Sequence, residues 1–294
     1  MVKKVIHDEF SELDIYNLYR SVREILHPSI SKRNISNYRI VFDEDILPVR
    51  VFYPKKVSTL DKVLFFIHGD GVVTECSGLY GDICSDLSIK TNRIVIAIDY
   101  DQIIRDKYPK VYNRIYESIK FIYKELVRCG IKEKNIAISG DSTGGHVSLY
   151  VERLGLKKKE LSFEKMVLFY PTVSLEYFGK TKYNSIHENS KHDLLLIEHL
   201  KSYYKKIIDK EKMEDIMLYP LRMKSYKDFS KCLIFTSNPD PLKDEAFELY
   251  NKGKTNNKWF YHEFTFGSHG FLKSRDEELK KDMYKALIDF LDAQ

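Results

Sequence analysis

Ile136-Ala137-Ile138-Ser139-Gly140-Asp141-Ser142-Thr143-Gly144-Gly145-His146-Val147-Ser148-Leu149-Tyr150 is the stretch on which the reading of this chain turns. A strand-like run leads into a Gly-x-Ser-x-Gly turn, and a helical pattern opens directly after it. A strand-to-helix turn this tight strains the residue at its apex and lifts the Ser142 hydroxyl above the sheet. Gly140 and Gly144 stand where a Cβ would collide with neighbouring backbone. The Thr143 amide falls at a helix N-terminus, where the dipole favours negative charge. The stretch reads as a nucleophile elbow.

On either side of it the chain alternates in a regular way. Apolar, β-rich runs stand at Ile40–Phe42, Val49–Tyr53, Val63–Ile67, Ile94–Ile98, Met166–Tyr170, Cys232–Thr236 and Lys258–Phe264. Several are continuous rather than alternating, as in strands covered on both faces. Helical stripes lie between them, at Tyr112, Ile115, Ile119, Ile122 and Leu126, and at Leu279, Met283, Ala286 or Leu287, and Phe290. Strands alternating with helices predict a mostly parallel central sheet flanked by helices, with the earliest strands antiparallel at its edge. The expected fold class is α/β.

A nucleophilic serine needs donors for the oxyanion, and a base. Val63–Ile67 is followed by His68-Gly69-Asp70-Gly71, a glycine-rich turn that offers backbone N–H groups. For the base, chain order around such an elbow runs serine, acid, histidine, and past a plausible acid only His262 and His269 remain. His262 lies inside a strand pattern and reads as structural. His269 follows in the loop Phe266–Phe271 and is the candidate base. The acid belongs after the strand Cys232–Thr236, where Asp240 stands nearest the carboxyl end. Asp244 is its rival, read instead as a first-turn helix residue.

Together these segments resemble the hormone-sensitive-lipase family of α/β-hydrolase esterases. Its markers HGGG, GDSAGG, DPLRDE and a late HGF stand here as His68–Gly71, Gly140–Gly145, Asp240–Glu245 and His269–Phe271. Tyr108-Pro109 and Phe169-Tyr170-Pro171 also fall where that family has them. The resemblance implies an α/β-hydrolase fold with a helical cap, Ser142 as nucleophile, His269 as base and Asp240 as its orienter. It implies an oxyanion hole from the amides of Asp70, Gly71 and Thr143, supported by His68, Gly69, Gly140 and Gly144. It further implies a serine carboxylesterase for short-chain acyl esters that uses no cofactor. An amidase or formamidase with the same triad, and a degenerate homologue that binds a small ligand, are the alternatives. Asp70 departs from the pattern by placing a carboxylate beside a site meant for an anion. Thr143 replaces an alanine, His146 an asparagine, and Asp99-Tyr100-Asp101-Gln102 stands in place of DYRLAPE.

Two regions fall outside the alternation. Ser11-Glu12-Leu13-Asp14 resembles a capping box, and a helix is expected from there to about Leu26, within an N-terminal cap segment 1–37. The remainder, 38–294, is expected to be one hydrolase domain, with a cap insertion at about 172–230 that carries a helix near 193–208. Composition excludes other classes. The 294 residues carry 48 Lys+Arg against 43 Asp+Glu, a net +5 with scattered lysines, which gives no basic patch for nucleic acid. No apolar run approaches the roughly 20 residues that span a bilayer. Four cysteines show no metal-finger spacing, and His187, His192 and His199 lack the HExxH spacing of zinc ligands. A cytoplasmic protein with reduced thiols is expected, acting on a small-molecule ester, with a homodimer possible.

Overall fold

The computed structural model describes residues 4–6, 12–13, 37–41, 46–54, 61–69, 79–100, 106–178, 181–189, 194–213, 215–256 and 258–293. Ten strands appear among them, in chain order β1 Lys4–Ile6, β2 Glu12–Leu13, β3 Asn37–Val41, β4 Val49–Phe52, β5 Val63–Ile67, β6 Ile94–Ile98, β7 Ile136–Asp141, β8 Lys165–Phe169, β9 Lys231–Ser237 and β10 Trp259–Phe264. They form one sheet in the order β10-β9-β8-β7-β5-β6-β4-β3-β1-β2. The block from β10 to β6 is parallel throughout. From β4 outward every pairing is antiparallel, as the short links between the early strands require.

The N-terminal helix differs from expectation. Glu12 and Leu13 pair with Ile6 and Val5 in an antiparallel ladder, so the start of the proposed helix is strand instead. Non-local pairing at the sheet edge overrides the local capping pattern there. The rest of that segment, 14–36, lies outside the described residues.

Helices cover both faces. They are α1 Leu79–Thr91, α2 Lys110–Arg128, α3 Thr143–Lys158, α4 Asn184–Asn189, α5 Leu194–Ile207, α6 Lys243–Gly253 and α7 Glu277–Asp292. Side chains alternate along each strand. Val63, Phe65 and Ile67 of β5 thus enter the core under α2, α3, α5 and α6, while Leu64 and Phe66 enter the core under α1 and α7. The predicted stripe on α2 is wholly buried, and on α7 Leu279, Met283, Leu287 and Phe290 are buried while Ala286 is partly so. This two-sided burial is why the central strands read as unbroken apolar runs.

The chain leaves β5 toward β6 on one side, then returns to place β7 on the other. Strand order reverses at that point, and the crevice beyond the carboxyl ends of β5 and β7 is where ligands settle in open α/β sheets. Register sets Ile67 beside Gly140, so the ends of the two strands lie side by side.

Candidate active site

Ser142 follows β7 with φ 51° and ψ −119°, and its backbone opens α3. The turn is held from three sides. Its N–H donates to the Phe169 carbonyl of β8 at 2.9 Å, and its own carbonyl accepts from Gly145 N–H at 3.1 Å and Thr172 N–H at 3.2 Å. Glycine is required around it. A Cβ on Gly144 would stand 2.1 Å from the Ile67 carbonyl oxygen, and one on Gly140 would stand 2.4 Å from that of Gly144. The helix start can therefore press against the end of β5 only with hydrogens at those positions.

Asp240 lies beyond β9 and His269 beyond β10, each at the carboxyl end of its strand. His269 Nε2 stands 3.0 Å from Ser142 Oγ, and Nδ1 stands 3.2 and 3.1 Å from Asp240 Oδ1 and Oδ2. The three groups make one hydrogen-bonded row. Their exposure is 5% for Ser142, 0% for Asp240 and 9% for the His269 side chain, so solvent competes little for these contacts. Two bonds hold Asp240, one at its carboxylate and one at its backbone. Oδ1 accepts the Leu242 N–H at 2.8 Å, and the Asp240 carbonyl accepts from Asn189 Nδ2 at 3.2 Å. The Tyr170 ring meets the His269 ring edge-on at 4.7 Å. In this geometry a neutral imidazole with its proton on Nδ1 offers Nε2 as the acceptor for the serine proton.

The rival residues stand elsewhere. His262 faces Asp282 at 3.1 Å on the half-exposed surface of β10. Asp244 lies in the first turn of α6, where its Oδ2 accepts the Ser185 N–H at 2.8 Å. His146 is fully buried in α3, with Nε2 at 2.9 Å from the Leu218 carbonyl and Nδ1 at 3.2 Å from the Tyr112 hydroxyl. Burial pushes its pKa down to about 4, so it is a neutral strut at neutral pH.

The oxyanion side is described in part. Thr143 is buried at the first position of α3. Asp70 and Gly71 lie outside the described residues. Gly69 is in place, and a Cβ on it would stand 2.6 Å from the Asp141 carbonyl oxygen. His68 is buried and its ring stacks on Tyr100 at 4.3 Å, while the Tyr100 hydroxyl donates to its carbonyl at 2.5 Å.

One residue of this region carries more than its motif suggested. Asp141, next to the serine, accepts the Gly69 N–H at 2.7 Å on Oδ1. The Tyr80 and Tyr170 hydroxyls reach its Oδ2 at 2.9 and 3.3 Å. The carboxylate therefore ties the β5 turn to the elbow. Its place within Gly-Asp-Ser was visible in the sequence; its partners, 72 and 61 residues away, were not.

Comparison with known proteins agrees with this architecture. A family model described as alpha/beta hydrolase fold matches residues 64–273. An arylacetamide deacetylase of Rattus norvegicus is 28% identical over 153 residues, which are 50% of this chain and 38% of that protein. An esterase of Acinetobacter venetianus is 30% identical over 142 residues, 48% of this chain and 44% of the relative. The chain thus spans about two-fifths of the length of these curated relatives. Among solved structures, a thermophilic carboxylesterase from a metagenomic library superposes with a TM-score of 0.73 at 21% identity, covering 95% of this chain and 98% of that one. An arylesterase superposes with a TM-score of 0.73 at 19% identity, covering 87% and 83%. These structural likenesses establish the shared fold.

Proposed function

We propose, since the chain belongs to the α/β hydrolase fold family, that it is a serine carboxylesterase acting on short-chain acyl esters. The observation that carries this reading is the row from Ser142 Oγ through the His269 ring to the Asp240 carboxylate. In the reaction, Ser142 Oγ attacks the ester carbonyl carbon as His269 Nε2 takes its proton. The oxyanion that forms is met by the Thr143 amide, with the amides of Asp70 and Gly71 as its expected companions. Collapse breaks the carbon–oxygen bond, the alcohol leaves with the proton from His269, and an acyl-serine remains. Water, deprotonated by the same imidazole, attacks the acyl carbon and releases the acid and free Ser142. Asp240 holds the imidazole tautomer and stabilises the imidazolium. No step requires a cofactor.

The 172–230 insertion is read as the cap. Its support is direct bonding to groups around the site: Asn189 to the Asp240 carbonyl, and the Leu218 carbonyl to the ring of His146 in α3, the helix that Ser142 opens. Among the described residues no helix is long and apolar enough to cross a membrane.

An amide substrate is the second reading, favoured by the name of the rat relative. Matched nitrophenyl esters and anilides of two to eight or so acyl carbons, assayed side by side, separate the two. Ester turnover is expected to decline with chain length and to fall by about 10³-fold or more in Ser142→Ala. Faster cleavage of the anilide gives the amidase reading. Loss of less than about tenfold in Ser142→Ala contradicts the serine mechanism.

A further inference from the structure

Glu245 lies in the first turn of α6, five residues after Asp240, and is completely buried. Burying a carboxylate is costly unless donors surround it. Three converge here, all from the segment that leaves β8. Val173 N–H and Tyr177 O–H reach Oε1 at 2.7 Å each, and Ser174 O–H reaches Oε2 at 2.5 Å. All three donors are neutral, and the two carboxyl oxygens accept from all of them at once.

The two ends of this clamp lie next to the reacting groups. On one side, Thr172 immediately precedes Val173 and gives its N–H to the Ser142 carbonyl at 3.2 Å. On the other, α6 begins directly after the turn that holds Asp240, whose Oδ1 accepts the Leu242 N–H and whose carbonyl accepts the Lys243 N–H at 3.2 Å. The segment at the nucleophile and the helix at the acid are therefore joined through one side chain. We propose that Glu245 is a positioning residue for the reaction read above, its carboxylate setting the distance between the nucleophile's turn and the acid's turn. This rests on the triad reading of Ser142, His269 and Asp240.

A second buried glutamate gives the control. Glu152 of α3 accepts the Ser230 N–H at 3.0 Å and the Ser230 O–H at 2.6 Å, and makes no contact with Ser142, His269 or Asp240 among its hydrogen bonds. Steady-state kinetics on wild type, Glu245→Gln and Glu152→Gln with a nitrophenyl acetate separate positioning from stability. An amide at 245 keeps one acceptor oxygen, for Val173 and Tyr177, but turns an NH2 toward the Ser174 hydroxyl and no longer accepts from it, so the clamp loosens. The expected result is a fall in kcat of about tenfold or more in Glu245→Gln with KM within about twofold, and kcat within about twofold in Glu152→Gln. Equal losses in both, or unchanged kcat in folded Glu245→Gln, overturn the proposal.

Should Glu245→Gln not fold, Tyr177→Phe and Ser174→Ala each remove one donor. A several-fold loss of kcat in these variants upholds the proposal, and unchanged kcat in both overturns it. If wild type cleaves no ester, the ester reading fails by itself, and nitrogen-15 NMR of the His269 ring decides the positioning. Displaced His269 resonances in Glu245→Gln but not in Glu152→Gln support it; unmoved resonances overturn it.

Discussion

Ser142 holds φ 51° and ψ −119°, a conformation in which an L side chain costs on the order of 1–3 kcal/mol. The neighbouring bonds over-determine it, with Phe169, Gly145 and Thr172 each holding one backbone group of the turn. Glycine would take the same backbone without the strain. Ser142→Gly is therefore expected to raise unfolding free energy by about 1 kcal/mol in chemical denaturation while abolishing ester hydrolysis. A glycine variant less stable than wild type contradicts the strain. At this scale much of the candidate site was legible in the chain. Ser142, Asp240 and His269 each follow a recognisable strand; chain order narrows the base to His262 and His269, and the strand pattern around His262 separates the two. The roles of Asp141, His146 and Glu245 were not legible, because each depends on partners about 70 residues away that only the fold brings near.

The elements follow local rules where local rules decide them. Asp276 caps α7, its carboxylate accepting the N–H groups of Glu278 and Leu279 at 3.0 Å. That satisfies donors with no partner inside the helix. Asp276→Ala is expected to cost about 1 kcal/mol of stability and to leave kcat unchanged, since α7 contributes no group to the row at Ser142. A large drop in kcat with intact stability would contradict this. The central strands and the stripes of α2 and α7 were readable because burial on a fixed period leaves a pattern. α1 carries Tyr80, Ile83, Cys84 and Leu87 at helical spacing, all buried, yet interleaved acidic and hydroxyl residues dilute the signal. The strand at Glu12–Leu13 had no local signature, since pairing with β1 defines it.

Across the whole molecule, two buried carboxyls shape the response to pH. Burial pushes Glu152 and Glu245 up to about 7 from an ordinary 4.5, against the pull of their hydrogen-bond donors. Between those values the folded state holds protons that the unfolded chain has released. Stability therefore falls as pH rises through that window, by up to about 1.4 kcal/mol per pH unit for each group. Buried His146, held down at about 4 from 6.5, works against them below about pH 6.5, so melting temperature is expected to decline most clearly from pH 6.5 to pH 7.5, and less steeply in Glu152→Gln. Parallel curves for the two proteins contradict the assignment. The same two-faced sheet that buries these groups brings the ends of β5, β7, β9 and β10 to one edge, where the candidate reaction is set.

The most direct test of that reaction is covalent. Intact protein treated with a fluorophosphonate, digested and mapped by mass spectrometry, is predicted to carry one adduct, on Ser142, formed about 10³-fold more slowly in His269→Ala. Absence of an adduct, or an adduct on another serine with Ser142 unmodified, contradicts the account.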